Sequence, residues 1–115
     1  MRATGTMARA AQITFHGLSP SEELRQEIRD RVAWLEEFYS PLMACRVRLR
    51  VPHRHHSHGR HMHVTIEMTV PGHPPLVIAH EPSLQYARVA IREAFEAARR
   101  RLRDLDRPPD HRRQL

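Results

Sequence analysis

Residues 45–51, Cys-Arg-Val-Arg-Leu-Arg-Val, alternate between uncharged and cationic side chains without a fault. Successive side chains of a β-strand point to opposite faces. The segment therefore predicts a strand with Cys45, Val47, Leu49 and Val51 against a core and Arg46, Arg48 and Arg50 on the other side. A sheet built around it keeps one face open, and three guanidinium groups stand on that face.

The neighbouring segments supply partners. Met62, Val64, Ile66, Met68 and Val70 alternate with His61, His63, Thr65, Glu67 and Thr69, which predicts a second half-buried strand. Pro71-Gly72-His73-Pro74 reads as a turn, and Leu76 to Ala79 as the returning strand of a hairpin. Upstream, Gln12 to His16 alternate with Ile13 and Phe15 on one face, and Gly17 ends that strand. Ser19-Pro20-Ser21-Glu22 reads as a helix start, with Ser19 as N-cap and Glu22 closing a capping box, and Ser21 as the alternative cap. Leu24, Ile28, Val32, Leu35 and Phe38 or Tyr39 then follow at helical spacing, so the helix runs to about Tyr39, where Pro41 stops it. Ser83 is the expected cap of a last helix whose apolar stripe is Leu84, Ala87, Ile91, Ala94, Phe95, Ala98, Leu102 and Leu105. Its alanines permit close approach to a sheet.

The order is β-α-β-β-β-α. It predicts an α+β fold: a four-stranded mixed sheet with two helices packed on one face. The expected organisation is a flexible N-terminus over 1–10, with Met7 as a possible true start, a single domain over 11–106, and a flexible tail over 107–115.

The chain has 115 residues with 40% apolar and 28% charged residues, which excludes a wholly disordered polypeptide. No apolar run is long enough to span a bilayer, and the N-terminus lacks a secretory h-region. Cys45 is the single cysteine, which suits a reducing cytoplasm. The net charge is +6, and every basic residue other than histidine is arginine. Arginine is the better fork for phosphate and the better stacking partner for bases. The charge is segregated: residues 19–40 carry six acids and three arginines, residues 45–63 five arginines and no acid, and residues 84–103 six arginines and two glutamates. Such polarity points to a polyanionic partner.

On the last helix Arg88, Arg92, Arg99 and Arg103 fall within about 60° of arc, with Arg100 just beyond. They form a basic rail about 22 Å long. Glu96 lies inside it and is expected to pair with Arg92 or Arg100. Six of the residues 53–63 are histidine, flanking Arg54 and Arg60. So many imidazoles could capture zinc, nickel or copper. No cysteine or acid completes a structural zinc pattern, so no metal or other cofactor is expected, and the loop reads as a polar segment that touches phosphate or stacks on bases. Catalysis is not expected: Cys45 faces inward, the serines cap helices, and no phosphate loop, nucleophile elbow or facing carboxylate pair is present. Trp34 falls at the edge of the first helix's apolar stripe, a boundary-packing position, with base stacking or a partner contact as the alternative.

The segments QITFHG, SEELRQEIRDRVAWLEEFY, CRVRLRVPHRHH, HVTIEMTVPG and ARVAIREAFEAARRRL, in this order, resemble the ribosome hibernation-promoting factor and ribosome-associated inhibitor family, older members of which were labelled sigma-54 modulation proteins. The resemblance covers residues 11–105. It implies a cytoplasmic protein that binds the small ribosomal subunit and its rRNA between head and body, overlaps the mRNA and tRNA positions near the decoding centre, and silences translation in stationary phase or stress. It implies no membrane, no small-molecule substrate, and a monomer or weak homodimer. Carried over by element and charge, the RNA-binding positions are Arg46, Arg48, Arg50, Arg54 and Arg60 of the strand and loop, and Arg88, Arg92, Arg99, Arg100 and Arg103 of the closing helix. Two features depart from the family pattern: the first helix is net acidic, and Trp34 stands where the family is often basic. Longer members add a C-terminal domain that pairs ribosomes, and no such domain is expected within these residues. Two other readings stand beside this one: a generic structured-RNA binder, and a metal binder acting through the histidine loop.

Overall fold

In the computed structural model, which describes residues 11–52, 62–80 and 87–105, six elements follow in the order expected. They are β1 (Ala11–His16), α1 (Glu22–Phe38), β2 (Ala44–Arg50), β3 (His63–Thr69), β4 (Leu76–His80) and α2 (Ala87–Leu105). The four strands form one sheet in the order β1-β2-β3-β4. β1 runs parallel to β2, and the β2–β3 and β3–β4 pairs are antiparallel. Both helices pack on one face of this mixed sheet, α2 against β3 and β4 and α1 against α2 and β1. Expectations for residues 1–10 and 107–115, for the Ser83 cap and for Leu84 lie outside the described residues.

The period-two pattern sets the layers. Cys45, Val47 and Leu49 on β2 and Val64, Ile66 and Met68 on β3 are buried, and the residues between them are not. Ile28, Val32 and Leu35 of α1 and Ile91, Phe95 and Leu102 of α2 close over them with no exposed surface. Ala90, Ala94 and Ala98 are also fully buried, which lets α2 lie close on the sheet. Ala90 is an addition to the stripe read from the sequence.

The N-terminus of α1 uses the second of its two candidate caps. Ser21, not Ser19, is the N-cap: its backbone is extended, and its Oγ accepts from the Leu24 N–H at 3.1 Å. Starting at Glu22, two residues after Pro20, places Glu22 and Glu23 in the first turn, where carboxylates oppose the partial positive charge of the free N–H groups. The capping box with Glu22 is not formed. At the other end the Tyr39 N–H donates to the Leu35 carbonyl at 2.8 Å and closes the helix.

Gly17 ends β1 at a φ of +79°. Directly beside it the Val51 N–H donates to the His16 carbonyl at 2.9 Å, so the chain leaving β2 is stitched to the chain leaving β1. A side chain at Gly17 would be driven into the Val51 carbonyl. Glycine is required there for its backbone angle and for the space it leaves.

Candidate nucleic-acid interface

The sheet face away from the helices carries cross-strand rows of side chains. One row is His16, Arg50 and His63; the next is Thr14, Arg48, Thr65 and Ala79; the third is Gln12, Arg46, Glu67 and Val77. Arg46, Arg48 and Arg50 are exposed, as their alternation with buried neighbours requires. They stand on an interior strand, flanked by β1 and β3, in a column about 13 Å long. Arg48 and Arg50 make no ion pair with any described residue. An unpaired guanidinium on a flat, open face can offer all five of its donors to an incoming anion.

The arginines of α2 lie in the other layer. The two helices run parallel, because Glu23 near the start of α1 meets Arg88 near the start of α2 at 3.8 Å, and Trp34 and Phe38 near the end of α1 meet Arg99. Arg92, Arg100 and Arg103 are exposed and form no ion pair with a described residue. The expected pairing of Glu96 with Arg92 or Arg100 does not form. Both glutamate and arginines are exposed, where such a pair gains little over solvation by water.

Arg99 departs from the rail. Its guanidinium lies 5.5 Å from the ring centroid of Trp34 and 5.5 Å from that of Phe38. Its Nε is buried without a hydrogen bond among the described residues. Arg31 approaches Trp34 from its own helix at 5.9 Å. Arg99 is thus spent on fastening α2 to α1, and Trp34 is the boundary residue its position suggested. The free part of the rail is Arg92, Arg100 and Arg103, with Arg88 loosely held.

Arg54 and Arg60, and the histidines at 53, 55, 56, 58 and 61, lie outside the described residues. Among those described, no group of three or more His, Cys, Asp or Glu side chains could hold a metal ion, and no helix is long and apolar enough to cross a membrane. Cys45 is buried, and desolvation pushes its thiol pKa up to about 12, so the sulfur is not a nucleophile at neutral pH.

Two sets of contacts are not legible in the sequence. His80 Nε2 lies 3.2 Å from Glu93 Oε1, joining β4 to α2 on the helix side. Arg46 is bridged to Glu67 at 3.5 Å and to Gln12 at 3.3 Å across the open face. Both need the cross-strand register or the seating of α2, which no local period reveals.

Comparison with known proteins gives a consistent answer. The profile of the family described as Sigma 54 modulation protein / S30EA ribosomal protein matches residues 11–107. The N-terminal domain of Thermus thermophilus Protein Y superposes with a TM-score of 0.65 at 14% identity, covering 82% of this chain and 94% of that one. A ribosomal subunit interface protein from Coxiella burnetii superposes with a TM-score of 0.67 at 12% identity, covering 85% of this chain and 98% of that one. At these identities the likeness to both structures is one of fold. No curated protein matches at a significant level.

Proposed function

Because the chain belongs to the Sigma 54 modulation protein / S30EA ribosomal protein family, a family of ribosome-associated hibernation proteins, we propose that it binds the small ribosomal subunit near the decoding centre, covers the mRNA and tRNA sites, and inhibits translation when growth stops. The observation that carries this reading, beside the family, is the Arg48–Arg50 column: two exposed cations on an interior strand with no carboxylate of a described residue to neutralise them. Arg46 flanks this column, and Arg88, Arg92, Arg100 and Arg103 offer a second basic surface in the helix layer. Arg54 and Arg60 add charge to the segment that joins β2 to β3.

The action is steric and electrostatic. Folded rRNA presents phosphates at high density, and a domain with cations in both layers can lodge between RNA walls rather than lie on one. Occupying the path of mRNA and tRNA then blocks initiation without any chemical step, and one copy of the chain suffices.

The test is co-sedimentation with 30S subunits over a salt series. If about six phosphates are engaged, the log–log slope of affinity against salt is on the order of −4 to −5. The double substitution Arg48→Glu/Arg50→Glu should abolish co-sedimentation while the circular dichroism spectrum stays that of the parent. Arg92→Glu/Arg103→Glu should weaken it separately. Binding of both variants at parental affinity would refute the proposal. A competing naked RNA duplex that displaced the subunits at equal concentration would favour a generic RNA binder.

A further inference from the structure

The third row of the open face is unlike the other two. Glu67 is the one carboxylate on that face among the described residues. It faces Arg46 on β2, with Nη1 and Oε1 3.5 Å apart. Arg46 Nε in turn donates to Gln12 Oε1 on β1 at 3.3 Å. The two charged side chains remain open to solvent, at 52% and 36% exposure. Beside them lies a cavity of about 120 Å³ lined by Gln12, Ala44, Cys45, Arg46, Glu67 and Thr69. The next residue in the row, Val77, is an apolar side chain 49% exposed.

This row is a poor place for a phosphate. A phosphate offers only acceptors and negative charge, and here it would meet a carboxylate and an arginine already engaged by it. The valences that remain are of both kinds. Arg46 keeps Nη2 free to donate, and Glu67 keeps Oε2 and the second lone pair of Oε1 free to accept among the described contacts. Their complement is a planar edge that sets an acceptor beside donors. Among the nucleobases the Watson–Crick edge of guanine does so most fully: O6 accepts, and N1–H and the N2 amino group donate side by side to the two oxygens of one carboxylate. Adenine, cytosine and uracil each offer a single donor group there.

We propose that the Gln12–Arg46–Glu67 row reads an unpaired guanine in RNA by its Watson–Crick edge. Glu67 accepts from N1–H and N2–H, Arg46 donates to O6, Gln12 holds the guanidinium in place, and Val77 offers the base an apolar flank. Unstacked bases of single-stranded RNA are commonly recognised on this edge. The proposal rests on the reading that the partner is RNA. It divides the open face by task, with Arg48 and Arg50 taking phosphates and the Arg46 row taking a base.

The experiment measures fluorescence anisotropy of the full chain with labelled oligoadenylates of about 12 nucleotides. The central nucleotide is guanosine, inosine (which lacks the N2 amino group) or adenosine. Guanosine should bind about tenfold tighter than adenosine, with inosine between them. In Glu67→Gln, whose carboxamide can supply only one acceptor oxygen, the guanosine preference should vanish, while binding to the adenosine oligomer is retained or tightened by the lost negative charge. Circular dichroism confirms that this surface variant is folded. Equal affinity for all three oligomers, with 30S binding intact, overturns this proposal alone. Glu67→Gln binding every oligomer more tightly with the guanosine preference intact also overturns it. If the parent chain binds neither these RNAs nor ribosomal subunits, both this proposal and the reading beneath it fall.

Discussion

Gly17 and Gly72 form a matched pair from which a steric cost can be isolated. Their φ angles are +79° and +77°, so replacement by alanine imposes nearly the same backbone strain at both. That strain is about 1–2 kcal/mol for an L residue in the left-handed region. The surroundings differ. A Cβ at Gly72 meets nothing within 4 Å, whereas at Gly17 it collides with the Val51 carbonyl. Relieving the collision means moving Val51 away from His16 and losing the 2.9 Å hydrogen bond between them, a further loss of about 0.5–1.5 kcal/mol before any repacking of the half-buried Val51. Gly72→Ala should therefore cost about 1–2 kcal/mol and Gly17→Ala about 2–4 kcal/mol. For a domain of this size the latter lowers the melting temperature by roughly 10–25 °C. Urea unfolding followed by far-ultraviolet circular dichroism measures both, with the slope of the transition as a check that the unfolded states are alike. If the two losses agree within about 0.5 kcal/mol, close approach of the β1 and β2 exits contributes nothing and the reasoning fails.

Other consequences can be measured on the same protein. Burial holds the Cys45 thiol protonated to about pH 12, while in the unfolded chain it ionises near 8.5. The unfolded state therefore loses a proton first as pH rises, and stability must fall between these values by up to about 1.4 kcal/mol per pH unit. The comparison with Cys45→Ala over pH 9–11 isolates this effect, and parallel pH profiles would refute it. The same thiol should resist alkylation at neutral pH until the protein is unfolded. Arg99→Ala removes the cation between Trp34 and Phe38 and should cost about 1–2 kcal/mol. Because Trp34 is the chain's single tryptophan, its emission should change in the native state, and an unchanged spectrum would mean that the contact does not persist in solution.

What could be read in advance follows from the range over which each physical signal acts. Strand β2 was legible because one half-buried surface dictates every residue from Cys45 to Arg50. The exposed column Arg46, Arg48 and Arg50 followed directly from that alternation. The fate of Arg99 was not legible. A helical projection places it beside Arg92 and Arg103, and only the seating of α1 against α2 shows that aromatic rings occupy that side. The alternation places Glu67 outward between Ile66 and Met68, but its position opposite Arg46 depends on the β2–β3 register. Ser19 and Ser21 both fit the local pattern of a cap, and the choice between them is settled by which hydroxyl reaches a free N–H of the first turn. Local periods thus reveal which face a residue occupies, while the neighbours that engage it come from elements distant in the chain.

The parallel pairing of β1 with β2 has a consequence for the order in which the chain can be assembled. Ile13 lies opposite Val47, with all of α1 intervening, whereas β2, β3 and β4 are joined as successive antiparallel neighbours. At about 5–20 residues per second, β1 waits roughly 2–7 s for its partner β2 to emerge. During that interval Ile13 and Phe15 have no sheet to join. The meander can close locally as soon as it is made, so the amino-terminal strand is the part of the fold most dependent on protection while translation is under way.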